Sequence, residues 1–249
     1  MRTALLIGVM AAALGTDAWG ADMPVPTTAP PPFGFNWSGL YFGGHVGWAW
    51  QSFNTATYDD TLGGQIEQFP FNDNGFFGGG QIGYNWVIAP NWLLGFEADG
   101  SVATMTKNVP VCGTRECASY HFSTNDLGTG RGRLGYFWNN ILVYGTGGWA
   151  WSDVKLDRTV TSSTLVPGLA GLTSNGSNTG FSNGWAAGAG LEWSFAPRWT
   201  AKVEYLHLQF ESIVNNYSYA TAAPTLRTST TVLGDDTVRV GINYLFGPP

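Results

Sequence analysis

Eight charged residues stand on what read as strands, and their spacing suits mutual neutralisation. Glu97 and Asp99 are two apart, as are Arg131 and Arg133, and Lys202 and Glu204; Glu192 and Arg239 stand alone. Spacing of two puts both members of a pair on one face of a strand. The set holds four acids and four bases. Side chains of both signs on one buried face can form a hydrogen-bonded ion-pair network, and burial demands it, because an unpaired buried charge costs several kcal/mol. Other chemistry is thinner. His121-Phe122-Ser123 places a hydroxyl and an imidazole on one strand face, a start for a nucleophile and its base. No carboxylate partner can be placed, so we assign no catalytic residue. His45 and His207 lie on distant strands and complete no metal cluster. Gly128-Thr129-Gly130-Arg131-Gly132-Arg133 has glycine spacing but lies in a strand rather than before a helix, so it is no phosphate loop. We expect no metal and no cofactor. Cys112 and Cys117 suit a small disulfide loop in an oxidising compartment, with a pair of free thiols as the alternative.

These charges are placed by eight segments with period-2 character, at about 37–50, 75–88, 92–103, 125–137, 141–153, 183–195, 199–210 and 237–246. The connections between them alternate. Those at 51–74, 104–124, 154–182 and 211–236 are long and polar; those at 89–91, 138–140 and 196–198 are tight turns. Long connections therefore share one end and tight turns the other. Outer-membrane barrels are built this way, with short periplasmic turns and longer extracellular loops. The predicted fold is all-β, an eight-stranded antiparallel transmembrane β-barrel.

Period 2 does not say which face is inside. A soluble barrel points its apolar set inward and a membrane barrel points it outward. Composition decides. Only 11% of the 249 residues are charged while 15% are aromatic, and the polar faces are rich in Gly, too poor in Lys and Glu for a water-facing wall. Trp86, Trp92, Trp138, Trp193 and Trp199 lie beside the tight turns, where an interfacial aromatic girdle belongs. The eight charges then face the lumen, which eight strands make just wide enough for side chains to fill. A plugged interior is the reading, with a gated channel as the alternative. Leu206, Leu208 and Phe210 share parity with Lys202 and Glu204, and a bulge near the rim would restore the rule. Most remaining charges, Asp59, Asp60, Glu67, Asp73, Asp157, Asp235 and Asp236 among them, fall in the long connections.

The chain ends carry further expectations. Arg2, the apolar run Ala4–Gly15 and Ala18-Trp19-Gly20 form a cleaved export signal over 1–20. Residues 21–36 hold five prolines and read as a periplasmic arm, with the barrel over 37–249. A net charge of −6 argues against nucleic acid.

Asn36-Trp37-Ser38-Gly39-Leu40-Tyr41-Phe42-Gly43-Gly44, the run Gly79-Gly80-Gln81-Ile82-Gly83-Tyr84-Asn85-Trp86 and the closing Val238–Phe246 segment resemble the small outer-membrane proteins of alpha-proteobacteria. These are the immunogenic surface barrels of rhizobia and brucellae, also called porin family proteins, related to the OmpA-type transmembrane domain. The resemblance covers about 37–246. It implies a Gram-negative cell outer membrane location, surface-exposed loops, and a structural and antigenic role, with porin activity in some members. It also implies contact with outer-membrane lipid and lipopolysaccharide, and an assembly signal in Tyr244 and Phe246 for the assembly machinery. Here that signal is set back from the end by Gly247-Pro248-Pro249. His121-x-Ser123 faintly resembles the arrangement of lipid A deacylases. The leading function is a monomeric structural barrel contributing to outer-membrane integrity; a narrow diffusion porin, a soluble periplasmic barrel and a lipid A-modifying enzyme are the alternatives.

Overall fold

The computed structural model describes residues 35–59, 64–113, 116–163, 173–174, 180–217 and 226–246. The expected signal and most of the proline-rich arm lie outside these residues. Eight long strands form the wall: β1 (Gly39–Asp59), β2 (Gln65–Ala89), β3 (Trp92–Cys112), β4 (Glu116–Trp138), β5 (Ile141–Ser163), β6 (Gly180–Ala196), β7 (Trp199–Phe210) and β8 (Leu226–Leu245). Each pairs antiparallel with the next. β1 also pairs with β8, from Tyr41↔Leu245 to Asp59↔Leu226 with one register shift between Ser52 and Phe53, so the sheet closes on itself. Two short pieces extend it, Thr173–Ser174 against β5 and Ile213–Tyr217 against the outer end of β8.

The tight turns lie where the sequence places them. Asn91, Asn139 and Arg198 adopt left-handed backbone, with φ of 67°, 51° and 71°. Asn tolerates that conformation; for other L-residues it costs roughly 1–2 kcal/mol. Arg198 occupies the position that Asn91 fills in the matching Ala-Pro-x-Trp turn. Arg198→Asn is therefore expected to stabilise the barrel by about 0.5–1 kcal/mol, read as a higher guanidinium midpoint in detergent micelles.

The strands are longer than the sequence reading allows, and much of 51–74, 104–124, 154–163 and 226–236 is strand rather than loop. The reason is a change of surroundings along each stave. From Leu40 to Trp50 on β1 the outward side chains are apolar, a height of about 25 Å for a tilted strand, which matches a bilayer's apolar band. Trp48, Trp50, Trp149 and Trp185 end this band on the side of the long connections, all outward and at least 41% exposed. Farther out the wall turns polar: Asn54, Gln68, Asn108, Lys155 and Asp157 face outward, and the apolar set faces inward. Water has replaced lipid outside, so the hydropathy pattern inverts while the backbone continues.

This inversion corrects the expected bulge in β7. Its pairing with β8 runs from Trp199↔Tyr244 to Leu208↔Asp235 without a shift. Leu206, Leu208 and Phe210 point inward because they belong to the core of the outer extension. Asp59, Glu67, Asp73, Asp157, Asp235 and Asp236 are corrected too: they lie on β1, β2, β5 and β8, with Asp73 and Asp235 inward and buried, while Asp60 lies outside the described residues. Trp37 precedes β1 instead of starting it. It is 1% exposed and closes the turn end of the interior, packing with Leu93, Leu142 and Tyr144 and donating its indole N–H to the Asn139 carbonyl at 3.3 Å.

Candidate functional site

The lumen is filled in layers. At the turn end sits the Trp37 cluster, with Phe35 and Phe137 against it. At the far end Phe53, Phe69, Phe71, Tyr120, Phe122, Leu206, Leu208 and Phe210 form an apolar core. Phe71 and Phe122 have ring centroids 4.3 Å apart, and Phe53 stacks on Phe71 at 4.7 Å. Arg158, fully buried, donates to the Tyr120 hydroxyl at 2.9 Å within this layer.

Between them the structure brings together all eight of the charges singled out in the sequence. Seven are buried as whole residues, and the Asp99 side chain is 2% exposed. Glu97 is the centre. Its carboxylate meets Arg131 at 2.6 Å, Lys202 at 2.9 Å, Arg239 at 3.2 Å and Arg133 at 3.8 Å. Asp99 pairs with Arg131 at 3.0 Å and Arg239 at 3.1 Å. Glu204 pairs with Arg131 at 3.2 Å and with Arg239. Arg133 reaches Glu192 at 3.1 Å. Some partners are neighbours in register, Glu97↔Arg131 and Glu204↔Arg239. Lys202 on β7 meets Glu97 on β3 and Arg131 on β4 meets Glu204 on β7 across the lumen, while Arg133 on β4 meets Glu192 on β6 past the intervening β5. The cross-lumen pairs lock opposite staves together.

Neutral groups complete the layer, and the sequence reading missed them. Tyr41 donates to Glu97 at 2.7 Å and Tyr144 to Glu204 at 2.9 Å. The Arg133 guanidinium lies over both rings, 4.6 and 5.3 Å from their centroids, and takes Asn85 Oδ1 as an acceptor. Thr200 and Asn243 donate to Glu192, and His45 bonds Ser101 at 2.7 Å and Gln81 at 3.1 Å. Parity was the available signal, since Tyr41 and His45 share one face of β1. Gly83 makes room for Tyr41: a Cβ there would stand 2.2 Å from the phenol oxygen and 2.6 Å from the Phe96 carbonyl.

The other sequence candidates lie elsewhere. Trp86, Trp92, Trp138, Trp193 and Trp199 face outward near the turns, 43–51% exposed. Tyr244 packs edge-on against Trp199 and Phe246, at 5.1 and 4.9 Å. Cys112 and Cys117 are joined as a disulfide where β3 meets β4 at the outer end. His121 bonds Asn108 at 2.6 Å and Ser123 donates to Asn125 at 3.0 Å, so neither engages the other. Among the described residues no three His, Cys, Asp or Glu side chains gather into a metal-binding group.

A closed antiparallel barrel, apolar on the outside for the depth of a bilayer and charged within, defines an integral outer-membrane protein. The chain belongs to the outer membrane protein beta-barrel domain family, whose model matches residues 4–246. It is 30% identical to the 31 kDa outer-membrane immunogenic protein of Brucella melitensis, over 99% of this chain and 100% of that protein. It is 28% identical to the 25 kDa outer-membrane immunogenic protein of Brucella canis, over 98% of this chain and 95% of that one. Among solved structures it aligns with the outer membrane protein OprG of Pseudomonas aeruginosa, at 10% identity and a TM-score of 0.49, over 85% of this chain and 98% of the other. The protein is a surface protein of the outer membrane.

Proposed function

We propose that this barrel is a structural component that contributes to outer-membrane integrity, and that its lumen does not conduct. The observation that carries the reading is the filling of the lumen: an aromatic cluster, an ion-pair layer and a second aromatic core follow one another along the axis. Eight strands leave little width beyond what such side chains occupy. Charge neutrality of the central layer supports a static plug, since a neutral set has no surplus charge to attract a permeant ion.

The remaining roles follow from position. Residues 1–20 direct export and are removed, 21–36 form a periplasmic arm and 37–249 the barrel. Trp86, Trp92, Trp138, Trp193 and Trp199 form the periplasmic girdle at the lipid interface. The disulfide steadies the β3–β4 tip. Tyr244 and Phe246 are the assembly signal, read by the outer-membrane assembly machinery, and the barrel works as a monomer among lipid and lipopolysaccharide. The outer extension presents the antigenic surface, as the relatives' names suggest. The protein is not an enzyme; the separate bonding of His121 and Ser123 supports this.

In a planar bilayer the folded wild-type protein is expected to give no discrete conductance steps. Steady unitary currents from the wild type would overturn the plugged lumen and make the protein a narrow porin.

A further inference from the structure

Above the neutral ion-pair layer lie two more buried carboxylates that it does not compensate. Asp73, Gln51 and Asp235 stand side by side on β2, β1 and β8, joined by the register pairs Gln51↔Asp73 and Gln51↔Asp235. All three face the lumen: Asp235 is 0% exposed, Gln51 4% and Asp73 9%. Apolar groups close the level on both sides, Phe53 and Phe71 outward of it and Ala49, Phe77 and Met105 inward. No ion pair reaches Asp73 or Asp235 among the described residues.

The hydrogen bonds leave two buried acceptors without a partner. Gln51 Nε2 donates to Asp235 Oδ2 at 2.8 Å, and the Asn74 backbone N–H donates to Asp73 Oδ1 at 2.9 Å. Gln51 Oε1 and Asp235 Oδ1 are then buried without a donor. A buried carboxylate stays charged only when paired or bound to a cation. Two carboxylates and an amide oxygen are hard oxygen ligands, and one divalent ion cancels the charge of both carboxylates when they are ionised. Among the described residues no imidazole or thiolate faces the lumen at this level, His207 being turned outward to Asp236, so a soft transition metal is not the fit.

We propose that Gln51, Asp235 and Asp73 hold one hard divalent cation, of the calcium or magnesium kind, inside the barrel at the level of the outer tryptophans. The ion ties the first, second and last strands together next to the seam where the sheet closes. It also cancels the charge of Asp73 and Asp235, which the central layer does not reach.

The test uses the full folded protein in detergent, stripped with chelator and titrated separately with Ca2+ and Mg2+ by calorimetry, with bound metal counted by elemental analysis. One equivalent per chain is expected, with a higher guanidinium midpoint in the loaded form. Asp235→Asn should weaken binding at least tenfold and abolish the metal-dependent shift, while Asp157→Asn, on the exposed outer wall, should change neither. Gln51→Glu adds a ligand charge and should tighten binding. If the wild type binds no more metal than Asp235→Asn and chelator leaves its midpoint unmoved, the proposal is wrong. The same holds if Gln51→Glu lowers stability with and without metal, because the carboxylates are then held neutral by protons. Should Asp235→Asn fail to fold, the wild-type stoichiometry, the chelator shift and Gln51→Glu still decide.

Discussion

Replacing Glu97 by Ala is expected to destabilise the barrel by about 3–5 kcal/mol, the cost of breaking a buried ion pair from one side. Glu97 meets four cations, more than any other acid of the layer. Lys202 loses most, because both its hydrogen bonds go to the two Glu97 oxygens, each at 2.9 Å. Arg131 and Arg239 keep Asp99 and Glu204, and Arg133 keeps Glu192. Four cations would then face three acids in a space closed to water. Removing the partner is less severe. Lys202→Met leaves Glu97 with three guanidinium groups, and we expect about half the cost. The two should be far from additive, since the double variant removes one charge of each sign and leaves no orphan. Equilibrium unfolding of the four proteins in detergent micelles checks this. Equal costs for the two single variants would mean that Glu97 is not the centre of the layer.

Phe122→Ala is the second large effect, about 3–5 kcal/mol, as for a buried aromatic whose cavity cannot collapse. Its ring packs against Phe53 and Phe71 from two other staves and against Tyr120 on its own strand. Those contacts lie outside the bilayer band. The loss should therefore appear as loosening of the outer extension, with early exchange or proteolysis of β3–β5 tips, while the membrane-spanning part still shows heat-modifiable gel mobility. Phe96→Ala is the control. Its side chain is 53% exposed on the lipid-facing wall and supports no core, so truncation should leave the outer tips protected. Equal loss of protection in both variants would mean that the outer extension has no core of its own.

Much of the barrel was legible in the chain. Alternation in β3, β6 and β8 assigned side chains to faces, and the long-short order of connections assigned the ends. The eight charges could be named because spacing of two on strands of known face puts them in one lumen. Their number and signs also foretold neutrality. The strand ends were harder. Phe53, Phe69, Phe71 and Phe122 carry period-2 alternation as clear as that of Val238–Phe246, yet they read as loop because the polar partners looked like loop composition. Leu206, Leu208 and Phe210 looked like a broken rule for the same reason.

By itself the sequence determined which residues share a face, how many staves there are, and that lipid must lie against the apolar wall, because backbone geometry alternates side chains and uncharged walls cannot face water. Tertiary structure decided the rest. It chose partners beyond the neighbouring strand, Lys202 for Glu97 across the lumen and Glu192 for Arg133 past β5, because curvature and closure bring non-adjacent staves within reach regardless of distance along the chain. It turned the apolar set inward above the bilayer, because the solvent changes there while the strand does not. It also gathered Asp73, Gln51 and Asp235, far apart in sequence, at the seam, since only the register of the first strand against the second and the last puts them side by side.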